Sequence, residues 1–253
     1  MRKQYFFVAN WKMNFNIDQE FNFATHNYDN LIKLSENINN TIILCPSFLS
    51  LNSLNKIFKE TKINIGAQDC SNHTKGPYTG QISAENLSFA GCTYCIIGHS
   101  ERREFNKETN NEIAQKFTQL INHKISPIIC IGEILQEYKK NKTIDILKSQ
   151  LEKIFNIIKI ELISQNFPIL IAYEPIWAIG SGDTACVDHL ETIFAWLKIQ
   201  TESFEKKINW KLLYGGSISS DSIKSLKNIS ILDGFLIGKA SLDFQEFEKI
   251  VKL

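Results

Sequence analysis

Ile169-Leu170-Ile171-Ala172-Tyr173-Glu174-Pro175-Ile176-Trp177-Ala178-Ile179-Gly180-Ser181-Gly182 reads as a strand that stops at a carboxylate and continues as a hinged apolar loop. Ile169–Ala172 is short and continuously apolar, the pattern of a parallel strand covered on both faces. Pro175 fixes its own φ and keeps Glu174 out of the helical region. The loop behind it is too apolar, with Trp177 and two isoleucines, to stay in water. Gly180 and Gly182 make it too hinged for a core strand. Such a segment suits a lid that is exposed when open and packed down over a ligand. An acid beneath that lid would meet its substrate with little water present.

Outward from this stretch the same motif recurs. Short apolar runs stand at Tyr5–Ala9, Thr41–Cys45, Ile63–Ala67, Cys95–Ile97, Pro127–Ile131, Ile169–Ala172, Lys211–Tyr214 and Phe235–Ile237. Between them lie helical periodicities: Ile17, Phe21, Ala24, Tyr28, Leu31 and Ile32 in one segment, and Ile144 through Leu151, Ile158 and Leu162 in the longest. Ser83 reads as an N-cap with Gly91 as the matching stop, and Asp188–Ile199 and Phe244–Val251 read as further helices. Strand and helix alternating about eight times over this length is the count for a (β/α)8 barrel. A doubly wound open sheet is the rival, weakened because no Gly-x-Gly-x-x-Gly follows the first strand. Polar residues sit just after the strands (Asn10 and Lys12, Gln68, His99, Glu133, Glu174, Ser217, Gly238), and a closed barrel delivers all those ends to one rim. The expectation is a TIM barrel occupying residues 1–253 as one domain.

Bulk properties narrow the function classes. A net charge of +1 provides no global field for nucleic acid or an anionic membrane, so any anion must be held by local geometry. Tyr5–Ala9 is too short for the core of a signal peptide, and no run approaches membrane-spanning length. Cys92-Thr-Tyr-Cys95 is a lone CxxC with no second pair or nearby histidine, so two small apolar residues entering a strand are expected rather than a metal site. A reduced, cytoplasmic protein fits these features.

Four stretches could carry chemistry. Asn10 and Lys12 share one side of the first strand's end, with Trp11 on the other, and could hold an anion and polarise a carbonyl. A surface lysine beside a turn asparagine is the plainer reading. His99 follows Gly98, which permits a sharp bend, at the start of a helical turn. The positive potential there disfavours the cationic ring, so a neutral His99 could donate an N–H to a substrate oxygen. Glu101 is a natural partner for Lys12, whereas Arg102 and Arg103 read as surface or interface ion pairs. Gly215-Gly216-Ser217 and Gly238-Lys239 end the last two strands, where backbone N–H groups can cradle a phosphate. Paired glycines alone are equally at home in ordinary turns. His26, His73, His123 and His189 fall on helix faces or loops and receive no role.

Together, Asn-Trp-Lys-Met-Asn at 10–14, Gly-Ala-Gln at 66–68, Gly-His-Ser-Glu-Arg-Arg at 98–103, Cys-Ile-Gly-Glu at 130–133, Ala-Tyr-Glu-Pro-Ile-Trp-Ala-Ile-Gly-Ser-Gly at 172–182 and Tyr-Gly-Gly-Ser at 214–217 resemble the triosephosphate isomerase family. Six motifs in register across the whole chain make the resemblance specific. It implies interconversion of dihydroxyacetone phosphate and glyceraldehyde 3-phosphate through an enediolate, in glycolysis, gluconeogenesis and the pentose phosphate pathway, without cofactor or metal. It implies Glu174 as base, His99 as neutral electrophile, and Lys12 and Asn10 as electrostatic and orienting groups. The phosphate would rest on backbone N–H groups of Gly180, Ser217, Gly238 and Lys239.

The resemblance also implies a homodimer. The 69–82 loop would reach a second subunit with Thr79 near the neighbour's site, and Phe15 would be available to the same interface. Three positions depart from the family pattern. Lys239 stands where a second glycine is usual, Asp183 where the far hinge of the lid often has lysine, and Gln81 where the dimer loop usually has glutamate. At 239 the backbone N–H is expected to serve with the side chain in solvent. An aldolase or epimerase barrel would need a Schiff-base lysine deep in a strand or a metal cluster, and neither is read here. A retired, phosphate-binding barrel would have been free to lose Asn10, Lys12, His99 or Glu174.

Overall fold

The computed structural model describes residues 4–36, 40–158, 167–178 and 185–252. Within them β1 Tyr5–Asn10, β2 Asn40–Cys45, β3 Asn64–Ala67, β4 Tyr94–Ile97, β5 Ser126–Ile131, β6 Pro168–Tyr173, β7 Asn209–Tyr214 and β8 Gly234–Ile237 lie side by side in chain order. The sheet closes where β8 pairs in parallel with β1, Phe6 beside Gly234 and Ala9 beside Ile237. That closure excludes the open sheet.

Period-two alternation divides the apolar residues between two layers. Phe6 and Val8 join Ile43, Cys45, Tyr94, Ile96, Ile128, Cys130, Leu170, Ala172, Leu213 and Leu236 in one buried cluster, the filled interior of the barrel. Phe7 and Ala9 belong to the other, larger cluster, where the sheet meets its helices. Each strand is apolar on both sides because each side is covered, which is why the runs in the sequence do not alternate.

The helices are α1 Ile17–His26, α2 Tyr28–Glu36, α3 Leu51–Phe58, α4 Ala84–Phe89, α5 Ser100–Phe105, α6 Asn110–Asn122, α7 Leu135–Lys139, α8 Thr143–Phe155, α9 Val187–Phe204, α10 Ile223–Leu226 and α11 Phe244–Lys252. Ser83 caps α4 as expected, its side chain accepting from the Asn86 N–H. The longest periodic segment forms α8 as far as Phe155, short of the expected Ile158, and Leu162 lies outside the described residues.

The first periodic segment is not one helix. It breaks at Asn27, whose side-chain amide donates to the Phe23 carbonyl. Nor is its buried face the expected one: Ile17 and Phe21 are exposed, while Glu20, Phe23 and Ala24 are buried. A reciprocal capping box between Asn16 and Gln19 sets where α1 begins. The Glu20 carboxylate turns inward because it accepts from the Ser47 N–H at 2.6 Å and the Ser47 hydroxyl at 2.8 Å. A buried carboxylate held by two donors outweighs the exposure of two apolar side chains.

Candidate active site

The carboxyl ends of the strands open into a cavity of about 580 Å³ lined by Asn10, Lys12, His99, Glu174, Ser217, Gly238 and Lys239. These residues come from β1, β4, β6, β7 and β8 or the turns after them, and barrel closure brings them together.

Glu174 follows the last residue of β6 and is 2% exposed. Its Oε2 accepts from the Ser100 N–H at 3.1 Å, and its Oε1 stands 3.1 Å from His99 Nε2. His99 is the N-cap of α5, with Nδ1 accepting from the Glu101 N–H at 3.2 Å. The lone pair on Nδ1 is therefore engaged, and the ring hydrogen falls on Nε2, the nitrogen that faces the cavity and Glu174. Gly98 makes this geometry possible. Its φ is +68°, and a β-carbon there would stand 3.0 Å from Arg103 Nη2 and 3.2 Å from the Cys130 carbonyl. Gly132 does the same service behind Glu174, where a β-carbon would collide with the Glu174 carbonyl.

Lys12 takes the left-handed φ of +52°, an unfavourable conformation for a residue with a β-carbon. Its neighbours hold it there. Asn10 Oδ1 accepts from the Lys12 N–H at 3.1 Å, and Gln68 Nε2 donates to the Lys12 carbonyl at 2.8 Å. The ammonium reaches Glu101 Oε1 at 2.7 Å, as expected for that pair. Trp11 between them is fully buried, so the alternation read from the sequence holds.

At the opposite end, Ser217 donates through Oγ to the Ala178 carbonyl at 2.6 Å. A β-carbon at Gly238 would stand 3.9 Å from Lys12 Nζ, which puts the cation beside the glycine turn. Lys239 begins a short 3-10 turn, Lys239–Ser241. It is absent from the positive-φ residues and its side chain is exposed, so lysine at this position carries no backbone strain. Gly180 and Asp183 lie outside the described residues.

Glu133, after β5, is wholly buried and its partners are complete. It accepts from Trp177 Nε1 at 2.8 Å and lies 3.1 and 3.2 Å from the Tyr173 hydroxyl. Burial pushes its carboxyl above the ordinary glutamate range, and those hydrogen bonds pull it part of the way back. Tyr173 is raised by burial first and by the Glu133 charge second. Tyr138 stacks on Trp177 with ring centroids 4.4 Å apart.

Two readings need correction. Among the described residues Arg103 forms no ion pair. Its guanidinium turns inward to the Gly98 and Cys130 carbonyls at 2.7 and 3.2 Å and to Asn110 Oδ1 at 2.7 Å, and burial lowers its pKa. It braces the bend that carries His99. Arg102 does form ion pairs, with Asp69 at 2.9 Å and Glu108 at 2.5 Å. His189, given no role from sequence, has Nε2 2.9 Å from the Tyr173 hydroxyl. Gln81 accepts from Ser71 Oγ within its own chain. Cys92 and Cys95 are buried, their thiols raised by desolvation, Cys92 to about 12.

Comparison with known proteins agrees with the barrel fold. The family model described as triosephosphate isomerase matches residues 5–253. The triosephosphate isomerase of Endomicrobium trichonymphae is 35% identical over 247 residues, covering 97% of this chain and 96% of that protein. That of Wolbachia sp. subsp. Brugia malayi (strain TRS) is 40% identical over 245 residues, covering 97% and 95%. The crystal structure of triosephosphate isomerase from Bartonella henselae superposes with a TM-score of 0.84 at 30% identity, covering 98% of this chain and 97% of that one. The matched residues span all eight strands of the barrel, and the chain belongs to the triosephosphate isomerase family of enzymes.

Proposed function

We propose that the enzyme interconverts dihydroxyacetone phosphate and D-glyceraldehyde 3-phosphate through an enediolate, with Glu174 as the base and neutral His99 as the electrophile. The observation that carries this reading is the facing pair itself: a buried carboxylate 3.1 Å from an imidazole nitrogen whose ring partner is already occupied by a backbone N–H. This family is itself the standard example of a glutamate base paired with a neutral histidine.

In the forward direction Glu174 takes a proton from the carbon beside the substrate carbonyl. The released electron pair moves into a carbon–carbon double bond and places negative charge on the carbonyl oxygen. The Nε2–H of His99 donates to that oxygen, and Lys12 and Asn10 stabilise the charge and orient the substrate. The hydrogen of the neighbouring hydroxyl passes to that oxygen by way of His99 Nε2, and Glu174 returns its proton to the former carbonyl carbon, so the carbonyl now stands on the carbon that was first deprotonated. One donor aimed at a developing oxyanion contributes about 2.7–4 kcal/mol. The phosphate rests on backbone N–H groups at Gly180, Ser217, Gly238 and Lys239, close to the Lys12 ammonium. The apolar loop after Pro175 acts as a lid that keeps water from the enediolate, which would otherwise eliminate phosphate. The same reading makes the protein a homodimer through the 69–82 loop, with Thr79 near the second site. Exposed Met13, Phe48, Leu49 and Tyr78 support a covered face.

The direct test is a coupled assay with glyceraldehyde 3-phosphate on the wild type and Glu174→Asp. Drawing the carboxylate back by one methylene should lower kcat about 10²-fold. A loss below tenfold removes Glu174 from the role of base. Sedimentation across a dilution series tests the dimer, and a fully active monomer at micromolar concentration would refute it.

A further inference from the structure

His189 lies on α9, away from the cavity, yet it completes a hydrogen-bonded chain that ends on both flanks of Glu174. Tyr173 immediately precedes Glu174, and Trp177 follows three residues later in the 3-10 turn Ile176–Ala178. Both side chains converge on Glu133. Tyrosine has one hydroxyl hydrogen. Two acceptors compete for it, the Glu133 carboxylate and the His189 ring, which lies 2.9 Å away. If the hydrogen went to His189, the buried Glu133 would keep only the donors it has elsewhere. With the hydrogen on Glu133, the Tyr173 oxygen needs a donor of its own, and His189 Nε2 is the nitrogen at that position. The ring also serves as a wall of the slot, edge-on to Tyr138 at 5.1 Å and to Trp177 at 6.0 Å.

We propose that His189 is a positioning residue for the isomerisation, donating Nε2–H to Tyr173 Oη and so holding the Tyr173–Glu133–Trp177 chain that fixes the backbone on either side of Glu174. The proposal rests on Glu174 being the base. Among the described residues His189 pairs with Tyr173, Tyr138 and Trp177, none of which lines the cavity, so its contribution falls on kcat and leaves KM alone. Its half-buried ring is held toward the neutral form by desolvation, in keeping with a donor that carries no charge.

Two variants separate the hydrogen bond from the packing. His189→Gln places an amide N–H near the Nε2 position, while His189→Leu keeps bulk and removes the donor. Loss of one neutral hydrogen bond should lower kcat of the Leu variant about three- to tenfold with KM unchanged, and the Gln variant should recover most of it. A second readout follows Trp177 directly, in a background with Trp11, Trp196 and Trp210 replaced by Phe. Iodide quenching of Trp177 should rise in the Leu variant and stay at the parental level in the Gln variant. Equal kcat in all three proteins would overturn the proposal. So would a Leu loss that Gln fails to rescue, or a loss that falls on KM. Glu174→Gln is the control: if it retains wild-type turnover, the assignment of the base fails, and the fluorescence result still reports separately on His189.

Discussion

Glu133 and Glu174 follow neighbouring strands, β5 and β6, and both carboxylates are buried, yet their surroundings differ in every other respect. Glu133 is enclosed by an indole N–H and a phenol hydroxyl at hydrogen-bond distance, with a histidine behind the phenol. Glu174 has one backbone N–H on one oxygen and an imidazole nitrogen facing the other, at the edge of an open cavity. Burial alone therefore does not mark the proposed base. What marks it is unspent bonding capacity directed at a space where a substrate fits. The saturated carboxylate ties β6 to the turn after it, and the unsaturated one is the proposed base.

The two chambers can be set against each other by mutation. The largest effect belongs to the histidine facing the cavity: His99→Gln should lower kcat about 10²–10³-fold with little change in KM. Steady-state kinetics checks this, and a rise in KM at constant kcat would make His99 a binding residue. Glu133→Ala should behave differently. It strands the Trp177 N–H and the Tyr173 hydroxyl in a dry pocket, at a cost of about 2–4 kcal/mol in urea unfolding, while kcat falls about tenfold or less. A catalytic loss matching that of His99→Gln, with stability intact, would erase the distinction between the chambers.

The comparison also has a pH axis. Burial raises the folded-state pKa of Glu133, so the stability it contributes is full below the unfolded glutamate value, about 4.3, and is lost as pH rises through the raised folded value. Glu133→Gln cannot ionise. The stability of the wild type relative to that variant should therefore fall as pH climbs from about 4 toward neutrality, and a difference that is flat over that window would refute the raised pKa. The smallest effect concerns the proposed phosphate turn. Lys239 has an exposed side chain and an unstrained backbone, so Lys239→Gly should change KM by less than about threefold.

The barrel was legible because parallel strands covered on both faces must be continuous apolar runs. Ile169–Ala172 and Pro127–Ile131 announce β6 and β5 to within a residue or two. Asn10, Lys12, His99 and Glu174 were legible from their position after strands, since barrel geometry supplies the convergence. What the sequence hid were polar groups whose partners are distant in the chain. Glu20 on α1 looks like a solvent-facing residue until Ser47 is placed against it. Arg103 looks like a surface charge until Gly98 bends the chain and exposes two carbonyls to it. His189 has no periodic or motif signal, because its partner Tyr173 lies on β6, 16 residues earlier in sequence. A helix's hydrophobic pattern predicts its buried face only when no such polar contact overrides it, as α1 demonstrates with Ile17 and Phe21 in solvent.

Proton transfer by Glu174 through an enediolate is the central claim, and solvent isotope tests it without any variant. Glyceraldehyde 3-phosphate converted in D2O, with the product analysed by NMR after partial turnover, should yield dihydroxyacetone phosphate carrying solvent deuterium on the carbon that received the proton. That follows because a carboxylic acid formed on Glu174 can exchange with solvent before it gives its hydrogen back. Full turnover with no deuterium in the product would mean that hydrogen moves directly between the two carbons as hydride, and the account of Glu174 as a base would be wrong.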